Sequence, residues 1–353
     1  MIDKKGYTTG KETIDKEIEA LSKKYSLPEN RECFRQLFTT VVKLYLDKAN
    51  ERDLYMANVT LKELRHIFRS FSPYRDVRKV VIFGSHRSSP KSKEYRMTVD
   101  FARKIVKQGY MVITGGGGGV MEAGNRGARD KGFAVKIKLP LEMEPNPYVS
   151  KGEKLINVHY FFNRKLAFIK ESDATVLFPG GFGTHDEAFE VMTLLQTGKC
   201  LPRPLVFVEP ARKSYWKSWL RFLKKDLLKG GYLTKEDLGL FRMVSSVEDA
   251  VDEITNFYRV YHSIRFSKEL TVIRLNQQIP VERLRKLGKK YKDIISGEIK
   301  PSGPIPAEVR NKELLDKPRI CMHFDRKSYG RLLELIRDLN HLPGLPQQKK
   351  QDN

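Results

Sequence analysis

Tyr110-Met111-Val112-Ile113-Thr114-Gly115-Gly116-Gly117-Gly118-Gly119-Val120-Met121-Glu122-Ala123 is the stretch whose reading decides the fold. A short apolar run, Tyr110–Thr114, reads as a buried strand. Five glycines follow, and then Val120–Lys131 reads as a helix stopped by Gly132. Glycine lets a backbone come close to an anion, and the helix behind it offers unpaired N–H groups and the positive end of its dipole. Five successive glycines carry a large conformational entropy cost, so a tight turn alone explains them poorly. A second turn of the same kind, Pro179-Gly180-Gly181-Phe182-Gly183-Thr184, lies between a strand at Ala174–Phe178 and a helix at Glu187–Gln196. On parallel strands both turns would open at the same carboxyl edge of the sheet. No Gly-Lys-Ser/Thr follows either turn, and neither has the spaced glycines of a dinucleotide fingerprint. A phosphate ligand is expected, but not specifically a triphosphate or NAD.

Working outward, strands are predicted at Lys79–Phe83, Phe133–Leu139, Lys154–Val158 and Leu205–Val208. Helices are predicted at Met97–Gln108 (stopped by Gly109), Arg164–Glu171, Tyr215–Leu228 and Val247–Tyr261. Apolar strands alternating with helices make an α/β unit over residues 77–262. It is a Rossmann-like, doubly wound parallel sheet covered on both faces. Residues 1–76 read as a helical extension. There Glu32–Ala49 sets Cys33, Leu37, Phe38, Val41, Val42, Tyr45 and Leu46 at helical spacing. Val59–Phe71 repeats the pattern from a capping box at Thr60 and Glu63 and ends at Ser72-Pro73. Residues 263–353 read as a small basic α+β appendage. It has strands at Leu270–Leu275 and Arg319–Phe324, helices at Val281–Ile295 and Tyr329–Leu339, a Pro/Gly loop at Lys300–Pro306, and a disordered tail from Pro343.

The 353 residues carry a net charge of +23, and 40% of them are hydrophobic. The sequence pI is about 9.7. Residues 263–353 hold 20 Lys and Arg against 11 Asp and Glu, so the excess is somewhat concentrated there. Such charge favours anionic partners. Nucleic acid would want aromatics interleaved with the basic residues, and only Tyr291, Phe324 and Tyr329 offer that, so it is possible but not favoured. No run of 18 apolar residues suggests a membrane span, and the polar start, Met1–Lys11, lacks a signal core. A cytosolic protein is expected. Cys33, Cys200 and Cys321 have no metal-ligand spacing and are expected to be reduced thiols. No cofactor or metal is expected.

Glu187 lies three residues after Thr184. One reading is a capping box, with Thr184 as N-cap and Glu187 at the third helical position. The other is a carboxylate held at the mouth of a phosphate site, and the two are compatible. In Phe161-Phe162-Asn163-Arg164-Lys165, an N-cap at Asn163 would put two cations at the positive end of a helix. That is unfavourable by roughly a few tenths of a kcal/mol unless an anion is near. The alternative is a solvated surface pair. Glu122, at the start of the first helix, is a second carboxylate, or simply a charge that favours the helix dipole.

Together these motifs resemble the LOG family, the cytokinin riboside 5′-monophosphate phosphoribohydrolases formerly mislabelled lysine decarboxylase. The resemblance rests on Gly115–Ala123, on Arg164-Lys165 and on Pro179–Glu187. Phe83-Gly84-Ser85 with Arg87 is similar to the family's first loop. It covers roughly residues 75–262 and implies phosphate binding by these loops and catalysis by Arg164 and Glu187. It also implies at least a homodimer. The added terminal regions resemble the long bacterial type, whose members cleave AMP and related nucleotides. His185 and Ala188 stand where those members carry leucines, and His86 where a small residue is usual, so base preference is left open.

Cleaving an N-glycosidic bond builds positive charge at ribose C1′ and negative charge on the leaving base. A carboxylate beside C1′ stabilises the cation, attacks it or activates water. Glu187 fits that role, and Arg164 would bind phosphate or stabilise the base. The competing readings are a non-catalytic nucleotide sensor, a nucleic-acid-binding protein, and a pyridoxal-phosphate decarboxylase. No lysine is marked as a Schiff-base partner for the last.

Overall fold

The computed structural model describes residues 6–139, 144–149, 152–267 and 270–341. The expected disordered tail lies outside them. The chain divides into two compact units, residues 1–65 and 66–353. The first holds α1 (Glu12–Tyr25), α2 (Arg31–Leu46) and the start of α3 (Glu51–Phe71). One expectation fails here. Helix α3 begins eight residues before Val59, so Thr60 is interior and caps nothing. Of the apolar residues set at helical spacing on α2, Leu37, Val41 and Tyr45 are exposed, while Phe38, Val42 and Leu46 are half-buried.

The second unit is built on seven parallel strands: β1 (Lys79–Phe83), β2 (Met111–Thr114), β3 (Gly132–Ile137), β4 (Leu155–Val158), β5 (Ala174–Leu177), β6 (Leu205–Val208) and β7 (Arg242–Val244). Their order is β4-β3-β2-β1-β5-β6-β7. The interleaved helices are α4 (Lys93–Lys107), α5 (Val120–Ala128), α6 (Phe161–Glu171), α7 (Phe182–Gln196), α8 (Tyr215–Phe222) and α9 (Val247–Phe257). The central strands are apolar on both faces because helices cover both. Val80 and Ile82 of β1 belong to one core, Val81 and Phe83 to the other. This is the doubly wound α/β sheet expected from the alternation.

Behind it stands a four-stranded antiparallel sheet, β10-β11-β9-β8, with β8 (Tyr261–Phe266), β9 (Thr271–Leu275), β10 (Ile295–Ser302) and β11 (Arg319–Phe324). Helices α10 (Val281–Lys290), α11 (Pro306–Asn311) and α12 (Tyr329–Asn340) complete it. Asn340 ties this region to the α/β sheet's last helix, since its Oδ1 accepts from Val260 and Tyr261 N–H and its Nδ2 donates to Phe257 O. Several expected boundaries move. Helix α9 stops at Phe257, and Tyr261 opens a strand instead. Ile295 begins β10, which fills part of the expected Lys300–Pro306 loop and bends at Gly297, where φ is +79°. Helix α5 ends at Ala128, where Arg129 takes φ +52°, and Gly132 is the first residue of β3 rather than a stop.

Candidate active site

The strand order reverses between β1 and β5. Open α/β sheets leave a crevice at such a switch point, beyond the carboxyl ends of the strands. Three loops meet there. Ser85 N–H, after β1, donates to Pro179 O at 3.0 Å, and Val120 N–H donates to Ser85 O at 3.0 Å. A Cβ on Gly84 would stand 2.7 Å from Val120, so glycine is needed for this approach. The loops enclose a cleft of about 720 Å³, walled by Gly84, Ser85, Arg87, Gly115, Met121, Arg164, residues 180–184 and Glu187 among others.

The remaining expected residues stand behind this wall. Gly116, Gly117, Gly118, Gly119 and Val120 form the turn that carries Gly115, and Pro179 carries the second turn. Glu122 Oε1 accepts from the Tyr95 hydroxyl at 2.7 Å. Lys165 leaves the cleft and bridges α6 to α7, with Asp186 at 2.9 Å, Glu190 at 2.8 Å and Glu187 at 3.4 Å.

Helix α6 starts at Phe161 behind Tyr160, so Asn163 is not its cap but a buried residue of the first turn. Arg164 therefore lies at the fourth helical position, and its side chain is not left at a bare helix end. Its Nε donates to Val135 O at 3.0 Å and its Nη2 to Gly115 O at 3.4 Å, while the guanidinium lies 5.2 Å from the Phe168 ring centre. A Cβ on Gly115 would come within 2.0 Å of that Nη2. The first glycine of the run is thus the bed on which the arginine rests. Burial lowers the Arg164 pKa and Glu187 opposes the shift. A guanidinium stays charged regardless.

The capping-box reading of Thr184 and Glu187 is overturned. Helix α7 begins at Phe182 with Gly181 as its N-cap, so Thr184 is the third helical residue and Glu187 the sixth. Glu187 is only 7% exposed, and its Oε2 is buried without accepting a hydrogen bond. Burial pushes its carboxyl up to about 7, Glu190 adds to the rise, and Lys165 and Arg164 oppose it. A carboxylate on the wall of a cleft with a pKa near neutrality is the arrangement expected of an acid–base or charge-stabilising group.

Residue spacing did not reveal what holds the first glycine run. Asn146 N–H donates to Gly116 O at 2.9 Å, and its Nδ2 donates to Gly117 O at 3.1 Å and Asn125 Oδ1 at 3.0 Å. Asn125 Oδ1 also accepts from Thr114 Oγ1 at 2.6 Å. These buried amides fix the carbonyl directions of the turn. The one available signal was the turn dipeptide Asn146-Pro147. The second turn has its own brace, since the Tyr215 hydroxyl donates to Gly180 O and lies 2.6 Å from His185 Nε2. Among the described residues, no group of three or more His, Cys, Asp or Glu side chains is placed to hold a metal ion. No helix among them is long and apolar enough to cross a membrane.

A family profile described as "Possible lysine decarboxylase" matches residues 114–254, which span both glycine turns, Arg164 and Glu187. The chain is similar to two proteins of Arabidopsis thaliana named cytokinin riboside 5′-monophosphate phosphoribohydrolase. It is 26% identical to LOG2 over 156 residues, 43% of this chain and 71% of that one. It is 28% identical to LOG3 over 159 residues, with the same shares. An uncharacterized protein of Archaeoglobus fulgidus is 31% identical over 121 residues, 33% of this chain and 76% of that one.

Proposed function

This chain belongs to the LOG family, and on that premise we propose that it hydrolyses the N-glycosidic bond of nucleoside 5′-monophosphates, AMP-like ones among them, to free base and ribose 5-phosphate. The observation that carries the reading is Glu187, a buried carboxyl in the cleft wall raised to about 7. Beside an N-glycosidic bond it would stabilise the oxocarbenium ion at C1′ or take a proton from the attacking water. The water oxygen ends on C1′ and the base leaves with the bonding pair and a proton. Arg164, on its bed at Gly115, would hold phosphate or the departing base. The second glycine turn, with Gly115 of the first beside it, would grip the 5′-phosphate, so that binding energy remote from the bond positions the sugar. A homodimer in the cytosol is part of the same proposal.

A decarboxylase working through a lysine Schiff base is not supported. Among the described residues, no lysine lines the cleft. Lys165, just behind it, meets three carboxylates. Burial works against its charge, but Glu190, Asp186 and Glu187 outweigh that and push it to about 12. An ammonium held that firmly is a poor nucleophile.

The direct test is incubation with each nucleoside monophosphate and with adenosine, reading free base and ribose 5-phosphate. Adenine is expected faster from AMP than from adenosine. Equal rates would remove phosphate anchoring, and no base released from any monophosphate would leave the sensor reading ahead.

A further inference from the structure

A second cavity, of about 1010 Å³, lies at the opposite edge of the parallel sheet. It is bounded by the residues that lead into β1, β2, β5 and β6, and by Tyr261, His262, Ser263 and Asn276 of the antiparallel region. It shares no lining residue with the cleft.

Its charge is unbalanced. Arg75, Arg78, Lys199 and Arg203 face two carboxylates, Asp76 and Asp173. A fifth cation on the wall, Lys170, is paired with Glu171. Asp173 is already used, at 3.1 Å from Arg78 Nη1 and 2.8 Å from Lys79 N–H. Arg78 is used as well: it lies 3.6 Å from the Tyr258 ring centre, and its Nη2 donates to His262 O. Arg75 and Lys199 are exposed and make no ion pair among the described residues. Arg203 is the unusual member. It is 6% exposed, its Nη2 donates to Ile169 O at 3.0 Å, and its buried Nη1 has no acceptor among the described residues. A buried donor on a charged group left without an acceptor is destabilising. An oxyanion would remove that cost, and a guanidinium fork matches phosphoryl oxygens in geometry. His262, on the wall, is held down to about 4, first by burial and then by Arg78, Lys317 and Arg274, of which Arg78 lines the cavity. The volume exceeds what a bare phosphate ion needs and falls in the range of small organic ligands.

We propose that this cavity is a second ligand site, separate from the cleft, that binds a phosphate monoester through Arg203, Arg75 and Lys199. The test is carbon NMR of the full chain labelled at histidine Cε1, with the His262 signal assigned through His262→Gln. His262 reports this cavity, and His185, on the cleft wall, reports the other site. Inorganic phosphate and ribose 5-phosphate are titrated at constant ionic strength. The His262 signal is expected to shift saturably with both, more tightly with ribose 5-phosphate. Arg203→Met, and separately the surface pair R75E/K199E, should each weaken that response at least tenfold while the His185 response is kept. If R203M does not fold, the exposed pair decides alone. A His262 signal that ignores both ligands, or that sodium chloride moves equally, would overturn the proposal, as would unchanged affinity in R75E/K199E. Because the readout is binding seen at His262, it stands or falls independently of AMP turnover.

Discussion

The two glycine turns have the same outline, a strand, a glycine-rich bend and a helix capped by glycine, yet their glycines answer to different constraints. In the first, the protein's own packing demands most of them, Gly118 excepted. A Cβ would meet Arg164 Nη2 at 2.0 Å from Gly115, Met121 Cε at 2.8 Å from Gly117 and Ser85 O at 2.3 Å from Gly119. The leading N–H of α5 is already given to Ser85 O. In the second, packing demands only Gly180, whose Cβ would meet Thr184 Oγ1 at 2.1 Å and Ser85 N at 2.8 Å, whereas a Cβ on Gly181 or Gly183 meets nothing within 4 Å and Phe182 is 97% exposed. The N–H groups of Phe182 and Gly183 have no acceptor among the described residues, as befits a first helical turn. The carboxylates behind the turns differ likewise. Glu122 receives the Tyr95 hydroxyl, whereas Glu187 Oε2 is buried, receives no hydrogen bond and has only the Lys165 ammonium at 3.4 Å. The first turn is thus a scaffold that positions Arg164, and the second leaves an open face on the cleft.

The largest expected consequence of this division lies in the two glutamates. Glu187→Gln should cut AMP turnover on the order of a hundredfold or more, the scale for losing a positioned acid–base or charge-stabilising group. Glu122→Gln keeps an acceptor for Tyr95 and should stay within about tenfold. Steady-state kcat on AMP for both variants checks this. Equal losses would erase the distinction between the turns, and a near-parental Glu187→Gln enzyme would favour a nucleotide sensor.

The raised Glu187 pKa sharpens the contrast through pH. A carboxyl ordinarily near 4.5 that sits near 7 in the fold binds its proton more tightly folded than unfolded. It therefore contributes stability that is fully present below 4.5 and is lost as pH rises through 7. Between pH 5 and pH 8 the parent should lose on the order of 2 kcal/mol relative to Glu187→Gln in urea unfolding. Turnover should move the opposite way, rising about tenfold from pH 6 to pH 8 as the carboxylate ionises. A stability difference that does not vary with pH would mean that Glu187 titrates normally.

Much of this was legible in the chain because β1, β2, β5 and β6 are buried on both faces and read as unbroken apolar runs. Both glycine turns stood out because each directly follows such a strand, whereas Arg164 stood out as a cation expected near a helix start and Glu187 by its spacing from Thr184. The start of α7 did not, because Gly183 is a poor helix former and pulled the apparent start forward to Glu187. That displacement created the false capping box. Strands β8 and β10 were hidden by mixed burial, since their outer faces carry polar side chains, and β7 by being only three half-buried residues long. Asn146 was hidden because its partners, Gly116 and Gly117, lie about thirty residues away, a distance no local pattern encodes.

A smaller pair of effects probes the turns directly. Gly115→Ala places a methyl where Arg164 Nη2 lies, so the guanidinium must move. Displacing a positioned charged group should lower kcat/KM by about tenfold. Gly181→Ala disturbs nothing in the protein, because the residue has φ −87° and open space around it. It should leave thermal unfolding unchanged and raise KM for AMP roughly threefold, about 0.6 kcal/mol of lost phosphate approach. If Gly115→Ala proves the milder of the two, the scaffold role of the first turn is wrong.

The smallest effect separates stability from function at a single atom. Gly183 is the second residue of α7, and the space around its Cβ position is open. Alanine is preferred over glycine in a helix because it loses less backbone entropy on folding, and at such a site it gains about 0.5–1 kcal/mol. On protein packing alone, then, glycine is the wrong residue here. It is the right one if a phosphate must come against the N–H groups of the first turn, where a methyl would hold it off. Gly183→Ala is therefore expected to unfold at a higher temperature than the parent and to bind AMP a few-fold more weakly. The two shifts carry opposite signs for the chain and for its ligand. A variant that is more stable and binds AMP as well as the parent would mean that the phosphate does not rest on this turn, and the open face would need another explanation.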